Sequence, residues 1–156
     1  LYRKTFESRL ARSHLAVWVA AAWHWSEGHN VRIPKTVDDQ PDNGDLFIRE
    51  KADEGWKRVE VKHIRRDWTG RSDWPFKKVI VCAKHSFDGA IQKPHQYLIF
   101  NHRMTHAIRV MGDAKDTWWS EEIVDSKRGG VGQQCYCTWA TAVEFLSVPA
   151  DLMVAP

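Results

Sequence analysis

A chain of 156 residues with a hydrophobic fraction of 43% and a charged fraction of 28% has the size and balance of one ordinary globular domain, spanning 1–156. No apolar run approaches the roughly 20 residues that cross a bilayer, so no membrane role is expected. The net charge of +3 is unevenly spread: between Lys57 and Lys78 eight basic residues stand against three acidic ones, a local +5 that leaves −2 for the remainder. A basic surface on an otherwise near-neutral chain suits a polyanion, because each phosphate neutralised releases condensed counterions.

In chain order, Phe6, Leu10, Val17 and Ala21 recur at spacings of mostly three and four, which predicts a long helix from Arg3 to Gly28. Trp18, Ala22 and Trp25 widen its stripe, and Trp18, Trp23 and Trp25 are expected mostly in the core. His24 interrupts the apolar stretch Leu15 to Trp25, which reads as amphipathic helix and not as a secretory leader. Gly28, His29 and Asn30 supply a stop, Val31 to Pro34 is extended, and Asp38 to Gly44 is a loop of turn formers. Leu46 to Ile48 and Trp56 to Ile64 read as strands joined by a charged turn.

A basic loop with tryptophans follows from His63 to Phe76, then a strand from Val79 to Ala83 and a short helix from Ser86 to Gln92. Gln96 to Asn101 and His106 to Met111 should form two more strands meeting at a turn. Asp116 to Val124 reads as helical, Lys127 to Gly132 as a glycine-rich loop, Gln133 to Trp139 as a strand and Ala140 to Leu146 as a helix. This order implies an α/β or α+β sandwich around one central mixed sheet, and we expect the α/β class with helices flanking the sheet. Cys82, Cys135 and Cys137 are odd in number, and the close pair is Cys-x-Cys, which fits a reduced, intracellular protein. Cys135 and Cys137 fall on one side of a strand and read as half-buried apolar positions, with a zinc role as the lesser alternative.

The chemistry is concentrated in Pro41-Asp42-Asn43-Gly44-Asp45-Leu46-Phe47-Ile48 and Val59-Glu60-Val61-Lys62. Glu60 and Lys62 are two apart on a strand and so share a face, while the valines anchor the strand in the core. Asp45 opens the preceding strand, and antiparallel pairing would set it beside Glu60, giving two carboxylates to one hard cation. Mg²⁺ typically takes one or two carboxylates together with substrate phosphate oxygens, and the backbone carbonyl of Val61 is a further candidate ligand. Lys62 would orient the attacking water or add positive charge at a scissile phosphate.

The pattern of an acid at a strand start, a spacer and Glu-x-Lys on the next strand resembles the PD-(D/E)xK nuclease superfamily over roughly the first 65 residues. The nearest pattern is that of its Holliday-junction-resolvase type. The resemblance implies a restriction-endonuclease-like α/β/α core, Mg²⁺ or Mn²⁺ as cofactor, DNA as partner, and hydrolysis leaving a 5′-phosphate and a 3′-hydroxyl. It also implies a helix glutamate in the site, for which Glu7 stands at the matching place. Asp45 is preferred over Asp42 as the first acid because an apolar strand follows it directly. Unlike the family, the chain enters a basic loop and a strand after Lys62 before any helix.

His63 should point away from Glu60 and Lys62 as a packed or loop-facing residue. In the basic loop Arg65, Arg66, Arg71, Lys77 and Lys78 are candidate phosphate contacts. Trp68 and Trp74 among them either stack on bases or pin the loop to the body. A non-catalytic nucleic-acid-binding module with the same fold is the rival reading, and a structural subunit a third. Symmetrical cutting of two strands would call for a homodimer.

Overall fold

The computed structural model describes residues 2–34, 44–124 and 129–153, with side chains over 12–34, 44–124 and 129–152. The first element is the long helix α1 (Tyr2–Ser26). After it come β1 (Asn30–Arg32), β2 (Leu46–Arg49), β3 (Lys57–His63), β4 (Lys78–Ala83), α2 (Lys84–Gly89), β5 (Gln96–Phe100) and β6 (His106–Met111). The last strands are β7 (Trp119–Val124), β8 (Gly132–Trp139) and β9 (Glu144–Ser147). Among the described residues the strands form a six-stranded sheet ordered β1-β2-β3-β5-β6-β9 and a three-stranded antiparallel sheet ordered β4-β8-β7. The protein is thus a single α/β domain built on a mixed sheet: β3 and β5 run parallel, and every other neighbour in the large sheet is antiparallel. A parallel pair needs a crossover connection, and the basic loop, β4 and α2 supply it.

Alternation on β3 and β5 separates two cores. Val59 and Val61 of β3 with Leu98 and Phe100 of β5 meet Ala16, Val19, Ala20 and Trp23 of α1. The small side chains of Ala16 and Ala20, both fully buried, let the helix lie close on the sheet. On the opposite face Tyr97 and Ile99 of β5 and Ile108 and Val110 of β6 pack against Val79, Val81, Phe87, Trp118 and Tyr136. The second layer is therefore mostly a small sheet, with α2 resting on β4 and β8, while α1 flanks the other face of the large sheet. Among the described residues no helix is long and apolar enough to cross a membrane.

Four expectations change. The buried stripe of α1 runs through Ala16, Val19, Ala20 and Trp23, one i, i+3, i+4, i+7 set, which leaves Trp18 and Trp25 about two-thirds exposed (65% and 68%) on another face with Leu15. Asp116 to Val124 is not helical; a short 3-10 turn (Gly112–Thr117) leads into β7, where half-buried Trp119, Glu121 and Ile123 alternate with exposed Ser120, Glu122 and Val124. Ala140 to Leu146 is a 3-10 turn followed by β9, because Ala107, Ile108 and Arg109 of β6 offer an open edge to Leu146, Phe145 and Glu144. In both places pairing with a neighbouring strand outweighs helix propensity. The short helix after β4 also begins earlier than Ser86, at Lys84.

The basic loop is pinned to the body. Asn101, only 1% exposed, donates from Nδ2 to the Trp68 carbonyl (3.1 Å) and accepts at Oδ1 from the Thr105 and His106 N–H groups (2.9 and 3.2 Å). The His102 N–H donates to the Arg66 carbonyl (2.9 Å), and Asp73 accepts the N–H groups of Thr69 and Gly70. Trp68 is 1% exposed and meets Trp74 edge to face at 5.0 Å, so its ring belongs to the second core and is not offered to a base. Trp74 is half-buried, with its indole N–H donating to the Lys78 carbonyl at 3.2 Å. Trp68→Ala should accordingly destabilise the fold by about 3–5 kcal/mol, the usual cost of emptying a large aromatic site. A urea unfolding curve measures this, and a loss under about 1 kcal/mol would return the ring to the surface.

Candidate active site

The site begins with the register of the β2–β3 hairpin. Leu46 pairs with Val59 and Phe47 with Arg58, so Asp45, one residue before the ladder, falls opposite Glu60. Its carboxylate is held there: Oδ2 accepts the Val61 N–H at 2.7 Å. Val61 thus enters the site through its backbone N–H, while its side chain is buried under α1. Glu60 and Lys62 emerge on the face of β3 opposite Val59 and Val61, beside Arg58.

Arg58, which alternates with Glu60 and Lys62 on the charged face of the strand but has no place in the motif, belongs to this cluster. Its Nε lies 2.6 Å from Glu60 Oε1, and its Nη1 donates to the Gln92 carbonyl at 3.3 Å. It is 8% exposed and runs beside Gly44, where a Cβ would come within 2.9 Å of Nε. With φ at 63°, that glycine both turns the chain into Asp45 and leaves room for the guanidinium. The signal in the sequence was the alternation Arg58, Glu60, Lys62, which puts three charges on one face of one strand.

This face floors a cavity of about 410 Å³ between the two sheets. Arg58, Glu60, Lys62 and Tyr97 form the floor, and Cys82 of β4, His85 and Ser86 of α2, and Gln133 and Cys135 of β8 stand around it. Lys62 Nζ lies 5.8 Å from the Tyr97 ring centroid. All three cysteines are buried and free. Burial pulls the Lys62 ammonium below its ordinary range, against the favourable influence of Cys82, Glu60, Cys135 and Asp45. Glu60 is pushed up to about 7, first by burial and then by the negative charge of Asp45, with Arg58 opposing both. Two neighbouring carboxylates, with Glu60 disfavoured in its ionised form by Asp45, beside a desolvated ammonium, have the donor set and the electrostatic need for a hard cation.

The other sequence candidates are scattered. Glu7 lies on α1 among residues whose side chains are outside the described part, and Asp42 is outside the described residues altogether. His63 bonds through Nε2 with the His102 carbonyl at 3.1 Å, a loop-facing role. None of Arg65, Arg66, Arg71, Lys77 and Lys78 lines the Glu60 cavity. Arg71 donates to the Val143 carbonyl at 2.8 Å, Lys78 is ion-paired with Glu121, and Arg66 lies 5.1 Å from the Phe76 ring centroid. Arg65 and Lys77 are exposed.

In comparisons with known proteins the chain matches no family model, no curated protein and no solved structure.

The raised Glu60 value has a thermodynamic consequence. Between its ordinary 4.5 and about 7 the folded protein holds a proton that the unfolded chain has released, so this group's contribution to stability falls as pH rises through that window. His24, lowered to about 4 by burial, works in the opposite direction, so Glu60 is isolated by comparison with a variant. Relative to the parent in chelator-treated buffer, Glu60→Gln should gain on the order of 2–3 kcal/mol between pH 4.5 and 7.5. Urea midpoints across that range measure it; parallel profiles for the two proteins would mean that Glu60 titrates as an ordinary exposed glutamate.

Proposed function

We propose that the chain is a divalent-metal-dependent endonuclease that hydrolyses phosphodiester bonds in DNA. The observation that carries this reading is the juxtaposition of Asp45 and Glu60 across the β2–β3 register, with Lys62 on the same face and a cavity above it. The order helix, strand, strand preceded by Asp45, strand bearing Glu60-Val61-Lys62 is also the order on which the resemblance to PD-(D/E)xK nucleases rests. Two carboxylates fit Mg²⁺ or Mn²⁺, which prefer oxygen donors and leave positions for phosphate oxygens. When bound, such an ion supplies Lewis acidity toward the phosphate and the attacking water.

The protein's own groups do the remaining work. The Val61 N–H fixes the direction of Asp45, and Arg58 fixes that of Glu60. Lys62, poorly hydrated and on the same face of β3 as Glu60, stabilises the negative charge that grows on the phosphoryl oxygens in the transition state. Cys82, Tyr97 and Cys135 keep the surroundings apolar, which strengthens that interaction. One observation favours a non-catalytic binding module: Arg58, 2.6 Å from Glu60, supplies a positive partner to the carboxylate without any ion.

Cleavage assays separate the two readings. Asp45→Asn and Glu60→Gln should each abolish Mg²⁺-dependent cleavage of DNA while retaining the fold. Lys62→Ala should slow single-turnover cleavage by on the order of 10²–10³, the typical cost of a lost electrostatic stabiliser, and should change affinity little. A Lys62→Ala rate within about threefold of the parent, an effect of roughly 0.6 kcal/mol, would leave the binding module as the better account. The salt dependence of binding reads the loop separately. Neutralising exposed Arg65 or Lys77 should flatten the slope of log affinity against log salt by about one unit each, whereas Arg71 and Lys78, committed to Val143 and Glu121, should act mainly through stability. Unchanged slopes for Arg65 and Lys77 variants would turn the loop away from the substrate.

A further inference from the structure

Away from the Glu60 cavity, the C-terminal end of α1 gathers three side chains that no part of the proposed reaction uses. Tyr2–Ser26 ends in a Schellman turn: the Gly28 N–H donates to the Trp25 carbonyl (3.0 Å) and the His29 N–H reaches back to the His24 carbonyl (3.1 Å). Gly28 has φ 87°, a conformation that favours glycine, and the reversal it makes lays His29 beside His24 with ring centroids 5.2 Å apart. Glu27 sits in the same turn. His24 Nδ1 and His29 Nδ1 are 3.1 Å apart, and Glu27 Oε2 is 3.7 Å from the first and 3.8 Å from the second.

We infer that His24, Glu27 and His29 bind a divalent transition-metal ion of the zinc class. A point equidistant from the three atoms lies about 2.1 Å from each, within the range of Zn–N and Zn–O bonds. Two imidazoles and one carboxylate are the borderline donors that zinc favours over the all-oxygen set chosen by Mg²⁺. The negative end of the α1 dipole adds to the attraction for a cation. His24 and His29 both line a cavity of about 320 Å³ that shares no lining residue with the Glu60 cavity.

Support for the first ligand comes from the sheet. His24, 4% exposed, has its Nε2 2.7 Å from the side-chain amide of Gln96, itself 3% exposed. With the amide oxygen turned toward it by half a rotation, Gln96 accepts the Nε2–H and leaves the Nδ1 lone pair for the ion, as an outer partner of a ligating histidine does. The ion would join the end of α1 to the start of β1, so its binding energy adds to the stability of the fold.

The alternative is a plain hydrogen bond between the two imidazoles with Glu27 nearby, and titration calorimetry of the full chain with Zn²⁺ alone decides between them. The expected result is one Zn²⁺ per chain with a micromolar or tighter constant and a raised Tm, not reproduced by Mg²⁺. His29→Ala and the more conservative Glu27→Gln, both at accessible positions, should each weaken binding by about 100-fold or more, beyond the 10–100-fold cost of losing an outer partner. Glu60→Gln should leave Zn²⁺ binding unchanged, which keeps this site distinct from the proposed nuclease centre. Absence of saturable binding below millimolar Zn²⁺, or binding that persists undiminished in both His29→Ala and Glu27→Gln while they remain folded by circular dichroism, overturns the inference.

Discussion

Strand β3 is buried under α1 on one face and half-buried beneath the second sheet on the other, and the rest of the structure is arranged around that constraint. Its valines hold α1, and its charged residues must be accommodated on the side where the second sheet packs. An ordinary strand in this position would be apolar throughout, because desolvating a charge costs several kcal/mol unless it is paired. Here Arg58 and Lys62 formally balance Asp45 and Glu60 within one cluster. The cavity is what makes the cluster tolerable, since it keeps part of each group in contact with water.

That balance holds only while Glu60 is ionised, the form that burial and Asp45 disfavour. A divalent cation would reverse this, because its charge favours both ionised carboxylates and would drive a proton from Glu60. The same charge would compete with Arg58 for the Glu60 oxygen. Affinity for such an ion would therefore be a difference between two interactions with one carboxylate, and Arg58 would set its scale. This gives Arg58 a tuning role that a reading of the three motif residues by themselves omits.

The hairpin was legible in the amino acids because the local signals agree. Gly44 before Asp45, apolar Leu46 to Ile48, and alternation from Arg58 to Lys62 all specify one register, and a one-residue slip would bury the charges and expose the valines. The helix α1 was equally clear as an element but not in its orientation. Tryptophans weigh heavily in a hydrophobic stripe, yet the contact with β3 is made by alanines, which let the backbones approach. β7 and β9 were missed because Glu121, Glu122 and Glu144 carry helix propensity, while their strand state depends on partners distant in sequence. The His24, Glu27, His29 group was invisible for a related reason: its spacing matches no helical ligand motif until Gly28 reverses the chain.

The small sheet in the second layer changes what the site can do. A helix laid across β3 and β5 would fill the space above Glu60 with its own side chains. By contrast β4 and β8 pack over β5 and β6 and stop short above β3, so Cys82, Gln133 and Cys135 become cavity wall. The same arrangement takes Trp68 and Trp74 out of the polyanion surface, since they close the end of the second core nearest the basic loop. What would remain for a nucleic acid along this loop is the charge of Arg65 and Lys77 with the half-exposed ring of Phe76, which is the chemistry of backbone recognition and not of base-edge reading. Sequence preference, if this surface meets DNA, must then come from the cavity or from the shape of the substrate and not from the loop.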